Sequence, residues 1–137
     1  MNLKVYLLTL VVLLAYDLPM ILKFNNKMYN NLFLNINNNN NIKLNNSTYI
    51  SIIAAYLLLS FGLYYFVIRK SIDYKQSLVE AFMFGIIIYG VYNTTNYSTI
   101  IKYSERVTIT DTIWGGILLF LVTATVNKIK HHTLFNK

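Results

Sequence analysis

The sequence predicts an all-α integral membrane protein, a bundle of four membrane-spanning helices with both termini on the same side of the bilayer. Hydrophobic residues make up 55% of the 137 residues and charged residues only 12%, a balance typical of proteins that reside in lipid. The apolar residues also gather into four separate segments, each close to the roughly 20 residues that a helix needs to cross the hydrocarbon core. An even number of crossings returns the C-terminus to the side of the N-terminus.

The four predicted spans form a single membrane domain over residues 1–137. They cover about residues 3–22, 49–68, 78–96 and 108–126. The first span has the basic start of a signal peptide at Lys4, but Asp17-Leu18-Pro19-Met20 stands where a small-residue cleavage site would follow. We therefore predict that this span is retained. The second span carries no charged residue and is predicted to act as scaffold.

The segment between the first two spans, residues 25–46, is rich in Asn and includes the unbroken Asn run 37–41. Low-complexity tracts of this kind bury too little apolar surface to fold alone. The sequence therefore predicts a mobile Asn-rich loop here.

The charge pattern indicates that the chain meets lipid headgroups and does not bind nucleic acid. The formal net charge is +7, but the Lys and Arg residues are scattered among the loops and form no continuous basic stripe. Of these residues, seven fall on the predicted side of the termini and five on the other side. Because cytoplasmic loops carry the excess of Lys and Arg, this distribution favours cytoplasmic termini.

Residue types that bind metals or act as nucleophiles are few. The chain has no Cys, which excludes disulfides and thiolate chemistry. His131 and His132 are adjacent in the polar tail, but no further ligand lies nearby at a suitable spacing. We therefore predict no metal site and no cofactor.

Three carboxylates lie within or at the edge of the spans, where an ionised group costs roughly 2.5–3.5 kcal/mol on insertion scales. Asp17 is near the end of the first span and Asp111 near the start of the fourth, so both lie on the same side of the membrane. Asn93 and Asn96, near the end of the third span, reach that side too. Pro19 cannot donate to the carbonyl of residue 15, so the first span should kink or end beside Asp17.

Helical spacing supports one polar pocket on this side. Gly85, Tyr89, Asn93 and Asn96 share a face of the third span, and Asp111, Trp114 and Gly115 share a face of the fourth. Small residues such as Gly85 and Gly115 allow membrane helices to approach closely. The predicted pocket consists of Asp17, Tyr89, Asn93, Asn96, Asp111 and Trp114.

Glu80 lies at the opposite end of the third span. Arg69, Lys70 and Lys75 lie within a few turns of it in the sequence. We predict that Glu80 forms an interfacial ion pair with these basic residues.

Three blocks of the second half carry a resemblance to a known family. They are Phe84-Gly85, the block Tyr-Gly-Val-Tyr-Asn-Thr-Thr-Asn over 89–96, and Asp111-Thr112-Ile113-Trp114-Gly115. The chain resembles a domain-of-unknown-function family of small predicted membrane proteins, found mainly in bacteria and in some large DNA viruses. Its members show Tyr-Gly-x-Tyr-Asp-x-Thr-Asn followed by Asp-x-x-Trp-Gly. The Asp17 region, with Tyr29 after it, is similar to the first-span motif of this family.

The resemblance implies a four-helix membrane fold and brings no established activity. The chain departs from the family pattern at two positions. Asn93 stands where the family has Asp, and Met20 stands where it has Trp. If the family's third-span Asp carries protons or binds a cation, the loss of its charge weakens that function in this chain.

Two functions remain open from the residues. In the first, the pocket binds a cation, a proton or a polar headgroup, and the chain is a small transporter or channel subunit; conduction through so few helices would then require a homo-oligomer. In the second, the chain is a structural component of a membrane or virion membrane, and the pocket serves helix packing without a ligand. An enzyme that acts on lipid with two carboxylates as acid and base is a third class. The sequence contains no nucleophile motif and no metal motif for such an enzyme, so we predict no enzymatic activity.

Overall fold

The computed structural model describes residues 2–24, 26–38, 45–70 and 73–134. Within this part the chain is helical and contains no strand. Its elements are α1 (Leu3–Pro19) with a π-helical turn (Met20–Phe24), α2 (Asn26–Ile36), α3 (Asn46–Leu63) with a second π-helical turn (Tyr64–Ile68), α4 (Tyr74–Thr99) and α5 (Glu105–Leu134). The helices long and apolar enough to cross a bilayer are Leu3–Lys23, Asn46–Ile68, Tyr74–Thr99 and Glu105–Lys130. The predicted fold class, a four-helix membrane bundle, is confirmed.

Polar caps fix where the long helices begin. The side chain of Asn2 accepts a hydrogen bond from the Val5 amide at the start of α1. Asn45 and Thr48 form a reciprocal capping box at the start of α3, and the Asp73 carboxylate accepts from backbone amides of the first turn of α4. Because such caps satisfy the free amides of the first turn, α3 and α4 start several residues before the apolar runs that predicted them.

The α-helical part of α1 ends at Pro19, as expected from the missing proline N–H. The chain then continues as the π-helical turn, and the Met20 amide donates to the carbonyl of Asp17. Asp17 therefore lies on the last turn of α1.

The prediction of a mobile loop over 25–46 is wrong for residues 26–36, which form α2. Met28, Tyr29, Leu32 and Phe33 recur at helical spacing and give this polar segment one apolar face. Leu32 is 4% exposed. Asn38 adopts a positive φ of 51° just after the helix, a conformation that Asn tolerates better than most residues. The rest of the Asn run, from residue 39 to 41, lies outside the described residues.

Helices α4 and α5 pack tightly and antiparallel. Asn127 Nδ2 donates to Ser77 Oγ at 3.0 Å near one end of the pair, while Asn93 contacts Asp111 near the other. Between them the backbones approach so closely that a Cβ added at Gly85 would lie 2.2 Å from the Gly115 carbonyl oxygen. The glycines therefore act as the sequence predicts, by allowing close approach of two membrane helices.

Helix α1 packs against both α3 and α5. It runs antiparallel to α3, since the Asn2 amide donates to the Tyr64 hydroxyl, at the far end of α3, at 2.8 Å. The start of α1 and the end of α5 consequently lie together at what we call the terminal end of the bundle; the opposite end is the site end. Buried apolar side chains fill the bundle from its middle to the terminal end: Val5, Leu13, Leu63, Ile68, Ala81, Leu118, Leu119, Val122 and Val126.

Helices α3 and α4 meet near the terminal end and separate toward the site end. The rings of Phe66 and Phe84 are 6.1 Å apart, and a Cβ added at Gly62 would lie 3.2 Å from the Phe84 ring. Farther along, Ala55 of α3 and Tyr92 of α4 line the same cavity. The two helices thus form the sides of a cleft.

The predicted ion pair of Glu80 is not formed with any of the three basic residues named for it, Arg69, Lys70 and Lys75. Glu80 accepts a hydrogen bond from Gln76 Nε2 at 2.8 Å, one turn earlier on α4. The Arg69 guanidinium lies over the Tyr65 ring and the Lys70 ammonium over the Phe66 ring. The i to i+4 spacing brings each of these pairs together on a helical face, whereas Lys75 is five residues from Glu80.

Candidate functional site

Asp17 joins three of the spanning helices. Its carboxylate is 4% exposed and accepts a hydrogen bond from the Tyr56 hydroxyl of α3 at 2.7 Å. The other carboxylate oxygen accepts from Trp114 Nε1 of α5 at 2.9 Å. Both donors are neutral groups.

Asp111 is the second buried carboxylate, two turns into α5 and 9% exposed. It accepts from Asn93 Nδ2 of α4 at 2.7 Å and from the Tyr29 hydroxyl of α2. The carbonyl oxygen of the Asn93 side chain in turn accepts from the Tyr103 hydroxyl at 2.8 Å. Asn93 therefore has donors and acceptors on both sides and is fully buried.

Within the described ranges, neither carboxylate lies in a salt bridge with a positively charged side chain. Among the described residues, Asp17 and Asp111 form no salt bridge, and their recorded side-chain partners are Tyr, Trp and Asn. Neutral donors satisfy the lone pairs of the oxygens but leave the charge in place. Two uncompensated negative charges at this depth are costly in a lipid environment.

Both carboxylates open on a cavity of about 470 Å³ between the spanning helices and α2. The polar part of its lining is Asp17, Asp111 and the tyrosines 29, 56, 89 and 92. The remaining lining is apolar: Leu18, Ile21, Phe33, Ile52, Ala55 and Leu59. The cavity thus has an acidic, hydroxyl-rich part and apolar walls.

Tyr89 is held in the cavity by the close packing of α4 on α5. Its ring lies where a Cβ at Gly115 would be 2.2 Å away, so only Gly leaves room for it. Among the described residues its hydroxyl has no hydrogen-bond partner. It is therefore available to a ligand that lies beside the two carboxylates.

Two tyrosines outside the spans cover the site end. Burial, followed by the hydrogen bond to Asp111, raises the pKa of Tyr29, because both disfavour the phenolate. Burial also raises the pKa of Tyr103, although a hydrogen bond with Asn96 acts in the opposite direction. Both hydroxyls therefore stay protonated at neutral pH and act as donors.

A comparison with known protein families identifies the family of the chain. Residues 2–127 match the family described as predicted membrane protein, DUF2177. The chain belongs to this family. The match confirms the resemblance inferred from the sequence blocks, and it includes every residue of the site described above. No curated protein and no solved structure matches the chain.

Five of the six predicted pocket residues either line the cavity or donate a hydrogen bond to one of its two carboxylates. Asp17, Tyr89 and Asp111 line the cavity, while Asn93 and Trp114 lie behind it as donors to the carboxylates. The sixth, Asn96, does not line the cavity and joins the cluster from its outer edge through Tyr103.

The prediction that the second span is only scaffold is wrong, because Tyr56 of α3 binds Asp17. The position of Tyr56 in the sequence could have indicated this role. Tyr49, Tyr64 and Tyr65 lie near the ends of that span, at headgroup depth, but Tyr56 lies in its middle, where a hydroxyl needs a partner. Tyr103 was also missed, since it lies between spans and belongs to no helical repeat.

His131 and His132, predicted not to bind a metal, have side chains outside the described set. Within that set, no group of three or more His, Cys, Asp and Glu side chains could hold a metal ion.

Proposed function

We propose that this chain is an intramembrane binding protein whose site, Asp17 and Asp111, takes a positively charged group in exchange for a proton. The observation that carries the proposal is a pair of buried carboxylates that open on one cavity and have no countercharge in the part of the chain that the structure describes. We propose binding alone, without a chemical reaction.

Electrostatics favour a cation over other ligands. Each carboxylate already has two neutral donors, so a further neutral donor adds little, whereas a positive charge offsets the unfavourable burial of both groups. The tyrosine rings around the site add faces that attract cations. The Tyr89 hydroxyl, which has no hydrogen-bond partner among the described residues, supplies one more oxygen for such a ligand.

Access to the site is one-sided. Leu13, Leu118 and Val122 are fully buried between the site and the terminal end, and their packed side chains close the bundle core in that direction. This packing argues against conduction through a single chain. Transport by this chain would require a homo-oligomer with a path along another surface.

The protein carries its own reporter for this proposal. Trp114 is the only Trp of the chain, and its indole N–H donates to Asp17. A cation bound at Asp17 weakens that hydrogen bond and changes the emission of Trp114. The test is a titration of the purified protein in neutral detergent with methylammonium chloride, against sodium chloride at equal ionic strength.

The expected result is a saturable change of emission with methylammonium that is lost in Asp17→Asn and Asp111→Asn. Glu80→Gln is the matched control, because Glu80 is an exposed carboxylate of a spanning helix and should leave the titration unchanged. No saturable change in the parent, or the same change in the variant with both Asp residues replaced, contradicts the proposal.

The second candidate function is a structural membrane component whose polar cluster only holds helices together. It is favoured by the fact that the partners of the two carboxylates come from α2, α3, α4 and α5. In that case the Asp→Asn variants lower the thermal stability in detergent, and the parent shows no methylammonium response.

A further inference from the structure

The cleft between α3 and α4 indicates more about the ligand than its charge. We propose that it is a long-chain amine, an amphiphile with one ammonium head and no phosphate, which enters the site sideways from the lipid. This inference rests on the proposed binding of a cation by Asp17 and Asp111, and it adds the nature of the rest of the ligand and its route.

The route follows from the divergence of α3 and α4. The cavity lies between them, and residues at its edge are exposed to the surroundings of the bundle: Ile52 is 46% exposed and Tyr92 60% exposed. These residues lie on spanning helices, so their surroundings are lipid. The cleft therefore opens sideways into the bilayer, and the buried core closes it toward the terminal end.

The size and lining of the cavity fit a head with an attached chain better than a bare ion. Its volume of about 470 Å³ falls in the range of small-molecule sites, roughly 300–1,000 Å³. Ile52, Ala55 and Leu59 form an apolar wall that leads from the lipid to the carboxylates. An ammonium between Asp17 and Asp111 would leave its chain along this wall, where it contacts apolar groups both inside and outside the protein.

The charges argue against a phosphate on the ligand. Among the described cavity-lining residues there is no Lys or Arg, and a phosphate would lie near two carboxylates. Lys27 and Arg106, which precede Tyr29 and Asp111 in the sequence, line a different cavity between α2 and α5. In a zwitterionic phospholipid, repulsion between the phosphate and the carboxylates therefore offsets much of the attraction of the amine, whereas an amine with net positive charge has no such repulsion.

The test compares probes that separate head from chain: dodecylamine at neutral pH, where it is protonated, with methylammonium and dodecanol. Trp114 emission is the readout in each titration. Chain length alone raises the apparent affinity, because dodecylamine partitions into the micelle. The decisive comparison is therefore a variant that fills the cleft, Ala55→Phe, against Ala54→Phe. Both alanines are exposed on α3, but only Ala55 lines the cavity.

We expect Ala55→Phe to weaken dodecylamine binding about tenfold, about 1.4 kcal/mol, while Ala54→Phe leaves it unchanged. Methylammonium should bind Ala54→Phe like the parent, and Ala55→Phe should weaken methylammonium binding much less than it weakens dodecylamine binding, because methylammonium has no chain to place along the cleft. Dodecanol should give no saturable response. Dioleoylphosphatidylethanolamine added in the same micelles should compete poorly with dodecylamine.

The outcomes separate this inference from the function on which it rests. If methylammonium binds but the affinity for dodecylamine is the same in Ala55→Phe as in the parent, the cation site stands and the chain-binding cleft is refuted. If dodecanol binds as well as dodecylamine, or if the phospholipid competes equally, the requirement for a phosphate-free ammonium head is refuted. If neither amine gives a saturable response, both proposals fail.

Discussion

The contact between α4 and α5 makes Gly85→Ala the most informative single substitution for the architecture. A Cβ at this position would lie 2.2 Å from the Gly115 carbonyl oxygen and 2.8 Å from the Gly116 Cα. Ordinary contacts begin near 3.4 Å, and these are backbone atoms that no side-chain rotation can move away. The two helices must therefore separate by about 1 Å. Overpacking of this kind costs about 1–3 kcal/mol, reduced by up to ~1 kcal/mol because Ala favours the helix over Gly.

Gly90→Ala is the matched control on the same helix. There the nearest atom to an added Cβ is the Thr112 Cγ2 methyl carbon at 3.5 Å, an ordinary contact. We expect Gly90→Ala to be neutral or slightly stabilising and Gly85→Ala to lower the free energy of unfolding by ~1–2 kcal/mol. The measurement is unfolding in mixed micelles with increasing dodecyl sulfate, followed by circular dichroism.

A second readout connects this packing to the site. Separation of α4 from α5 pulls Asn93 away from Asp111, which it now contacts at 2.7 Å, so Gly85→Ala should also weaken the methylammonium response of Trp114. Equal stability of Gly85→Ala and Gly90→Ala would refute the described α4–α5 contact.

Three further outcomes follow from the polar cluster. Tyr56→Phe removes one donor to a buried carboxylate and should cost about 0.6–2 kcal/mol of unfolding free energy, whereas Tyr49→Phe, an exposed control on the same helix, should cost nothing measurable. Asn93→Asp places a second carboxylate against Asp111; two such groups in contact share a proton, so its thermal midpoint in detergent should fall further below the parent's as the pH rises. Because the pKa of Tyr29 is raised in the folded state, the protonated hydroxyl contributes to the free energy of unfolding in full below the ordinary tyrosine pKa of about 10, and this contribution is lost as the pH rises above it. In Tyr29→Phe the free energy of unfolding should therefore fall less steeply between neutral pH and pH ~11, as measured by unfolding at each pH.

The four spans could be predicted from the sequence because the apolar runs and their lengths are local properties. The starts of α3 and α4 could not be placed from hydropathy, since they depend on the caps at Asn45 and Asp73. Helix α2 was not predicted, because the high Asn content of this segment indicated a loop and its apolar face is short. The apolar face of α2 is covered only when α2 packs against α5, where Tyr29 donates to Asp111, and this contact joins residues that are distant in the sequence.

The site was predictable where it follows a helical repeat or a shared membrane side. Asp17 and Asp111 could be placed together because the ends of the first span and the start of the fourth meet on one side of the bilayer. Tyr56 could not, because its partner is fixed by the packing of α1 on α3. The cleft itself depends on the separation of α3 from α4, which no local pattern encodes.

The most direct test of a cation site at Asp17 and Asp111 is difference infrared spectroscopy of the carboxyl groups when methylammonium is added. Without a cation, we expect Asp17 and Asp111 together to hold at least one proton, so a protonated-carboxyl band should be present. That band should decrease on saturation with methylammonium and be absent in the variant with both Asp residues changed to Asn, while Glu80→Gln retains it. A carboxyl spectrum that methylammonium leaves unchanged in the parent would contradict the claim that these two residues form a cation site.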